Sequence, residues 1–214
     1  MSVYALALSP SHTFSKTPCD TLTLLTGVGI AGDIHAGKHV QHQARISHNQ
    51  PPRPNLRQVH LLEKEVLDSR NVKPSEMGEN ITTLGMDLVG LGRGTKLHFL
   101  KPNKPNCDPN SNDTAGHLTE GALNDGVLNG GETKEEEEDE EHAIIVITGL
   151  RNPCWQIDKF RKGLKEKFVI RDDDRKIIKR SAGVLATVER GGVVERGMRI
   201  VLEEAGEFVP LEVV

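Results

Sequence analysis

Along most of the chain, apolar residues come in short runs bounded by turn residues, a spacing that predicts strands rather than long helices. Thr21 to Leu25 is one such run, and Leu56 to Leu62 follows the stiff stretch Pro51-Pro52-Arg53-Pro54. Thr95 to Leu100 alternates, and Ala143 to Thr148 holds the unbroken series Ile144, Ile145, Val146, Ile147 expected of a strand buried on both faces. Gly183 to Val188, Arg199 to Glu203 and Phe208 to Val213 continue the series. Glycines at 90, 92, 94, 191, 192 and 197 punctuate these runs at short intervals. Two segments have helical spacing. Leu62 to Arg70 places Leu62, Val66 and Leu67 on one face, and Asn152 to Lys167 is read as a helix with Ile157, Phe160, Leu164 and Phe168 in phase. Many short strands, few helices and glycine-rich turns predict a mainly β protein built as a closed or nearly closed barrel.

Composition changes this picture in one place. The stretch 101–141 is crowded with Pro, Asn, Gly and Asp and ends in the unbroken acidic run Glu135 to Glu141. It has little to bury and its like charges repel, so it reads as a long disordered acidic insertion. The whole chain has 27 basic and 31 acidic residues for a net charge of −4. Setting the seven acids of that run aside leaves 27 against 24, a mildly basic body with no electrostatic case for nucleic acid. Aromatics are only 3% of residues, so the core must rest on Val, Ile, Leu and Ala. No apolar stretch is long enough to span a membrane, and Met1 to Pro10 lacks the basic and apolar regions of a signal peptide. Three cysteines, Cys19, Cys107 and Cys154, are too few for a disulfide framework. These features predict a soluble cytoplasmic protein without a membrane partner.

Two conspicuous patterns carry less than they promise. Gly27-Val28-Gly29-Ile30-Ala31-Gly32 spells the dinucleotide fingerprint after a strand, but that motif works only where a helix begins. Here Asp33 to Gly37 brings another glycine and no amphipathic continuation, and no acid follows about 20 residues on. His35, His39, His42 and His48 are dense enough to raise the question of zinc. No neighbouring Glu or Cys completes a set, so they read as polar loop histidines.

Thr148-Gly149-Leu150-Arg151-Asn152-Pro153-Cys154 says more. A buried strand ends near Gly149, Asn152 is a good N-cap and Pro153 suits a first helical position. Cys154 is then expected in the first helical turn beside Arg151, a setting that favours thiolate. Such a sulfur is a nucleophile and a soft ligand; the competing reading is a small hydrophobe packed beneath the helix. Cys107 in the insertion and Cys19 before the first strand have no activating context. Two polar clusters sit where a barrel would turn: Gly32 to Gly37, with Asp33 and His35, and Gly78 to Thr83, with Glu79, Asn80 and Thr82 expected at the surface. Arg45, Arg57 and Arg151 could supply bidentate phosphate contacts. Each cluster alone also fits ordinary turn chemistry.

In order along the chain, Gly-Asp-Ile-His-Ala-Gly (32–37), Asn-Leu-Arg-Gln-Val-His-Leu-Leu-Glu (55–63), Gly-Glu-Asn-Ile-Thr-Thr-Leu-Gly-Met-Asp-Leu (78–88), Thr-Gly-Leu-Arg-Asn-Pro-Cys (148–154) and Ala-Gly-Val-Leu-Ala-Thr-Val (182–188) resemble the MOSC domain, the module named for the C-terminus of molybdenum cofactor sulfurases. The resemblance covers about residues 25–100 and 142–203 of what would be a single domain over 1–214. It implies a MOSC-type β-barrel working on the molybdenum cofactor, a pterin dithiolene (molybdopterin) bearing phosphate and molybdenum. In the family, the cysteine corresponding to Cys154 either ligates molybdenum or carries sulfur as a persulfide. The cofactor would be held by Asp33, His35, Arg57, Glu79, Asn80, Thr82 and Arg151. The chain departs from the family in its insertion and in Gly197-Met198, where Gly-Asp is expected. No pyridoxal-phosphate desulfurase domain precedes the barrel, so pyridoxal phosphate is not expected and sulfur would have to be supplied by another protein. Two functions follow from the resemblance. One is a molybdenum-dependent oxidoreductase reducing N-hydroxylated compounds with electrons from a donor protein. The other is a non-catalytic sulfur carrier or cofactor-delivery module working between a cysteine desulfurase and a molybdoenzyme client.

Overall fold

A computed structural model describes residues 1–41, 51–102 and 142–214. The insertion from residue 103 on, with Cys107, and the residues His42, Arg45 and His48 lie outside the described residues. Thirteen strands follow one another: β1 (Ser2–Leu8), β2 (Thr17–Cys19), β3 (Thr21–Leu25), β4 (Gly29–Ile30), β5 (Val59–Glu63), β6 (Ile81–Leu84), β7 (Lys96–Leu100), β8 (Ile144–Leu150), β9 (Val169–Arg171), β10 (Ile177–Arg180), β11 (Val184–Arg190), β12 (Gly192–Glu195) and β13 (Arg199–Glu203). Helix α1 (Lys64–Ser69) follows β5, and α2 (Trp155–Phe160) follows β8.

Seven strands close into a barrel in the order β13-β7-β8-β11-β5-β6-β1, with β1 returning to β13 and β2 added outside β1. Closure removes the open sheet edges that would otherwise invite pairing with other chains. The pairings around the ring are antiparallel except β5 with β6, which run parallel. A parallel pair needs a crossover rather than a hairpin, and the chain from residue 64 to 80, with α1, provides it. A three-stranded sheet, β12-β3-β4, and a two-stranded ribbon, β10-β9, complete the architecture.

Alternation along β5 divides two cores. Val59 and Leu61 face the barrel interior with Ile81, Leu97, Phe99, Ile145, Val184 and Ala186. Leu62 lies in a second cluster under the helices with Leu67, Met77, Ile157, Leu164, Phe168 and Ala182. All five residues of β5 are buried, so its polar members His60 and Glu63 are buried too. Among the described residues no helix is long and apolar enough to cross a membrane.

As the sequence predicts, no helix follows the glycines at 27, 29 and 32, which lie in and on either side of the short strand β4, each with positive φ. The elements depart from the sequence expectations in three places. The helix expected over Asn152 to Lys167 ends at Phe160: Gly163 adopts φ +79°, and a 3-10 turn at Lys165–Phe168 replaces the remainder. Phe208 to Val213 is not a strand. It makes a single bridge, Leu150 with Val213, and leaves Phe208 exposed. Strand β1, absent from the sequence expectations, pairs with β13, β2 and β6.

Candidate functional site

Six chain segments meet outside the barrel at a cleft of about 210 Å³. Thr13, Phe14 and Lys16 come from the loop after β1, and His35 from the turn after β4. Arg57 and His60 come from the approach to β5 and from the strand itself, and Gly78 and Asn80 from the end of the crossover. Arg151, Asn152, Cys154 and Gln156 follow β8, while Leu185 of β11 supplies an apolar patch. Two glycines let these segments approach. A Cβ at Gly78 (φ +75°) would stand 2.4 Å from the Phe14 carbonyl oxygen, and one at Gly183 (φ +92°) 2.1 Å from that of Leu61.

Asp33 ties the cleft together without lining it. Its carboxylate accepts hydrogen bonds from Lys16 Nζ at 2.6 Å, Asn80 Nδ2 at 3.0 Å and the backbone N–H groups of Ser9 and His35, and it sits 3.1 Å from His35 Nδ1. Burial opposes its charge, but the His35 and Lys16 contacts outweigh burial and hold the carboxyl well below its usual range. Burial draws the Lys16 ammonium down from its ordinary value, against the pull of Asp33. The pair thus anchors one cation beside the cleft and orients one imidazole at its edge.

The segment from Gly78 to Thr83, expected at the surface, is largely interior: Glu79, Asn80 and Thr82 are each 1% exposed. The parallel pairing of β6 with β5 draws it inward. Asn80 accepts a bond from His60 N–H and donates Nδ2 to Ala7 O as well as to Asp33, stitching β1, β5 and the 32–37 turn together. Glu79 accepts bonds from Ser75 N–H and Thr82 Oγ1. Its Oε2 is buried with no partner among the described residues, and burial pushes this carboxyl up.

Arg151 leaves β8 with its N–H bonded to Gly183 O, and its guanidinium lies 5.9 Å from the Phe14 ring centroid. Nη1 is buried and finds no hydrogen-bond partner among the described residues. Burial draws this guanidinium down from its ordinary value, with the nearby Cys154 and Glu79 opposing. A buried cationic donor left unmatched is costly unless something arrives to meet it.

Cys154 is half-buried and occupies the N-cap of α2, one residue before the helix rather than within its first turn. Asn152, expected as the cap, instead accepts a bond from Arg180 Nε at 3.3 Å. The Cys154 thiol lies 3.5 Å from Gln156 Oε1. Of the residues named from the sequence, Cys154, His35, Arg57, Asn80 and Arg151 line the cleft, whereas Asp33, Glu79 and Thr82 stand behind it. Lys16, Phe14 and His60 were not singled out. His60 lies inside the motif at 55–63 and could have been found there; Lys16 and Phe14 carry no local signal. Burial and the Arg151 charge hold His60 well below its ordinary value, and its Nε2 lies 2.9 Å from Ala182 O, which makes that nitrogen the donor. His39 pairs through its backbone with Pro54, and among the described residues no three His, Cys, Asp or Glu side chains converge to hold a metal ion. Cys19 sits on β2, away from the cleft-lining set.

No family model and no curated protein matches the chain. Solved structures do. The YUAD protein from Bacillus subtilis superposes with a TM-score of 0.61 at 18% identity, over 95% of this chain and 96% of that one. YiiM from Geobacillus stearothermophilus does so with a TM-score of 0.51 at 13% identity, over 96% of this chain and 76% of that one. At such identities the likeness is one of fold. Seven strands closed into a ring make the mainly β barrel expected of a MOSC-type fold, and the five motifs that resemble that domain are distributed around it.

Proposed function

We propose that the cleft binds the molybdenum cofactor and that the protein reduces N-hydroxylated compounds there. The observation that carries this reading is the buried Nη1 of Arg151, a cationic donor without a partner among the described residues, in the same cleft as Cys154. The residues present fit such a group. Arg151 and Arg57 suit its anionic oxygens, and the thiol of Cys154 is the soft donor that molybdenum chemistry favours. The cleft of about 210 Å³ is smaller than the ~300–1,000 Å³ of a whole-ligand pocket, which suits the charged end of the cofactor. When bound, the cofactor supplies two-electron redox chemistry. The chain's own residues position and exclude: Asp33 fixes Lys16 and His35, Asn80 fixes the loop that presents Gly78, and Leu185 and Phe14 keep one wall apolar. Reduction of an N-hydroxyl compound consumes two electrons and two protons and releases water. The electrons come from a separate donor protein.

Protein purified from a molybdenum-replete host should contain molybdenum and pterin and reduce an N-hydroxylamine when given a chemical reductant. Cys154→Ala should abolish reduction, and Arg151→Gln should lower cofactor content. Full activity in Cys154→Ala would overturn the reading. The half-buried sulfur of Cys154 also favours a second reading, in which it carries a persulfide to a client enzyme. That reading requires a mass increase of about 32 Da, one sulfur atom, after incubation with a cysteine desulfurase.

A further inference from the structure

Beside the cleft lies a surface that the reading above does not use. From residue 155 to 180 the chain carries ten basic residues against five acidic ones, in a protein whose overall balance is acidic. Ile157, Leu164 and Phe168 pin this stretch to the second core. Its remaining large apolar residues face outward: Trp155 is 65% exposed, Ile178 63% and Ile170 54%. The last two lie on the β9-β10 ribbon. Ile170 pairs with Lys179, and the register shifts between Ile177 and Lys179, so Ile170, Ile178 and Lys179 occupy adjacent exposed positions. The ribbon is tied to the rim of the cleft through the bond from Arg180 to Asn152, and Trp155 directly follows Cys154.

We propose that this ribbon and Trp155 form a docking surface for a partner protein that presents acidic side chains around an apolar strip. Exposed aliphatic and indole groups bracketed by cations match that chemistry, since apolar contact gives affinity while complementary charge steers the encounter. An anionic membrane fits less well. The tip of the ribbon carries Asp172, Asp173 and Asp174 in succession, and these carboxylates would meet a flat lipid surface first. A protein partner can leave the tip uncovered. The surface does not depend on what the cleft holds.

Trp155 is the chain's single tryptophan, so its fluorescence reports on this surface directly. The full chain is titrated with a synthetic peptide of Glu and Leu, with two control peptides in which Gln replaces Glu or Ser replaces Leu, and with phosphatidylcholine vesicles containing phosphatidylserine. The Glu-Leu peptide should give a saturable blue shift that weakens at high salt. Both control peptides should bind about tenfold more weakly, as should the Glu-Leu peptide to Lys179→Glu and to Ile178→Ser. These two sites are exposed, so the variants should keep the wild-type circular dichroism spectrum. Absence of a shift, equal affinity in the variants, or a stronger response to the vesicles would each overturn the proposal. The measurement is independent of bound molybdenum, so failure of the functional reading leaves it standing.

Discussion

The inside of the barrel and the wall of the cleft are built on the same strands, yet they are held together in opposite ways. Val59 and Leu61 of β5, Ile81 of β6 and Val184 of β11 turn inward to a core of mainly apolar side chains. Their neighbours His60, Asn80 and Leu185 turn to the cleft. The interior is stabilised by apolar area removed from water, which is nondirectional and tolerates change of shape. The wall is stabilised only while each buried polar group keeps its partner, and at Glu79 and Arg151 an atom has none among the described residues. A cleft that leaves charged atoms unmatched is less stable than a sealed core and better prepared for a ligand.

Deleting bulk from the interior should have the largest effect. Phe99→Ala removes a side chain that is 1% exposed and should lower stability in urea unfolding by about 4 kcal/mol. On the wall, Asp33→Asn leaves Lys16 buried without its counter-charge and should cost about 3 kcal/mol. Adding Lys16→Met to Asp33→Asn should recover most of that loss, because the cost lies in the orphaned charge and the amide oxygen at 33 still serves as an acceptor for the donors around it. If the double variant is no more stable than the single one, the contrast drawn between wall and interior fails. Gly183→Ala should lose about 2 kcal/mol through its positive φ and the clash with Leu61 O, measurable as a lower melting temperature.

The smallest effect is a slope. His60 is held neutral below its ordinary value of 6.5, so the unfolded chain takes up a proton that the folded chain refuses. Its contribution therefore makes stability fall as pH drops from about 6.5. Glu79 acts with the opposite sign. Burial raises it above 4.5, so the folded chain keeps a proton the unfolded one releases, and stability falls as pH rises through that window. Subtracting the pH-stability curve of His60→Gln from that of the wild type isolates the imidazole; a flat difference below pH 6.5 would show that His60 is not buried neutral.

Strands with clean alternation were legible from the sequence. Thr21 to Leu25 and Arg199 to Glu203 have the bounds that their patterns predict, and the run at 144–147 forms a strand in which Ile144, Ile145 and Ile147 are buried and Val146 is partly so. Strand β1 escaped because its alanines, Ala5 and Ala7, have little strand preference; pairing on both sides makes it a strand. The polar segment at 78–83 looks like an exposed turn because no local signal reveals that β5 will lie parallel beside it. In the cleft, Cys154 and Arg151 were marked by the strand end that carries them. Lys16 and Phe14 were not, since only the closing of the β1 loop over Gly78 brings them there.

The seam that closes the ring has a consequence for how the protein is made. Ser2 pairs with Arg199, and the bonds between residues 1–3 and 197–200 are what join the first strand to the last. A chain still being synthesised holds one half of that seam while the other has yet to leave the ribosome. Until then β1 has only its inner neighbours, and its free side is an open edge of the kind that misassembles between nascent chains. Completion of the ring thus waits for the segment at 197–200, after every other strand of the barrel has been made.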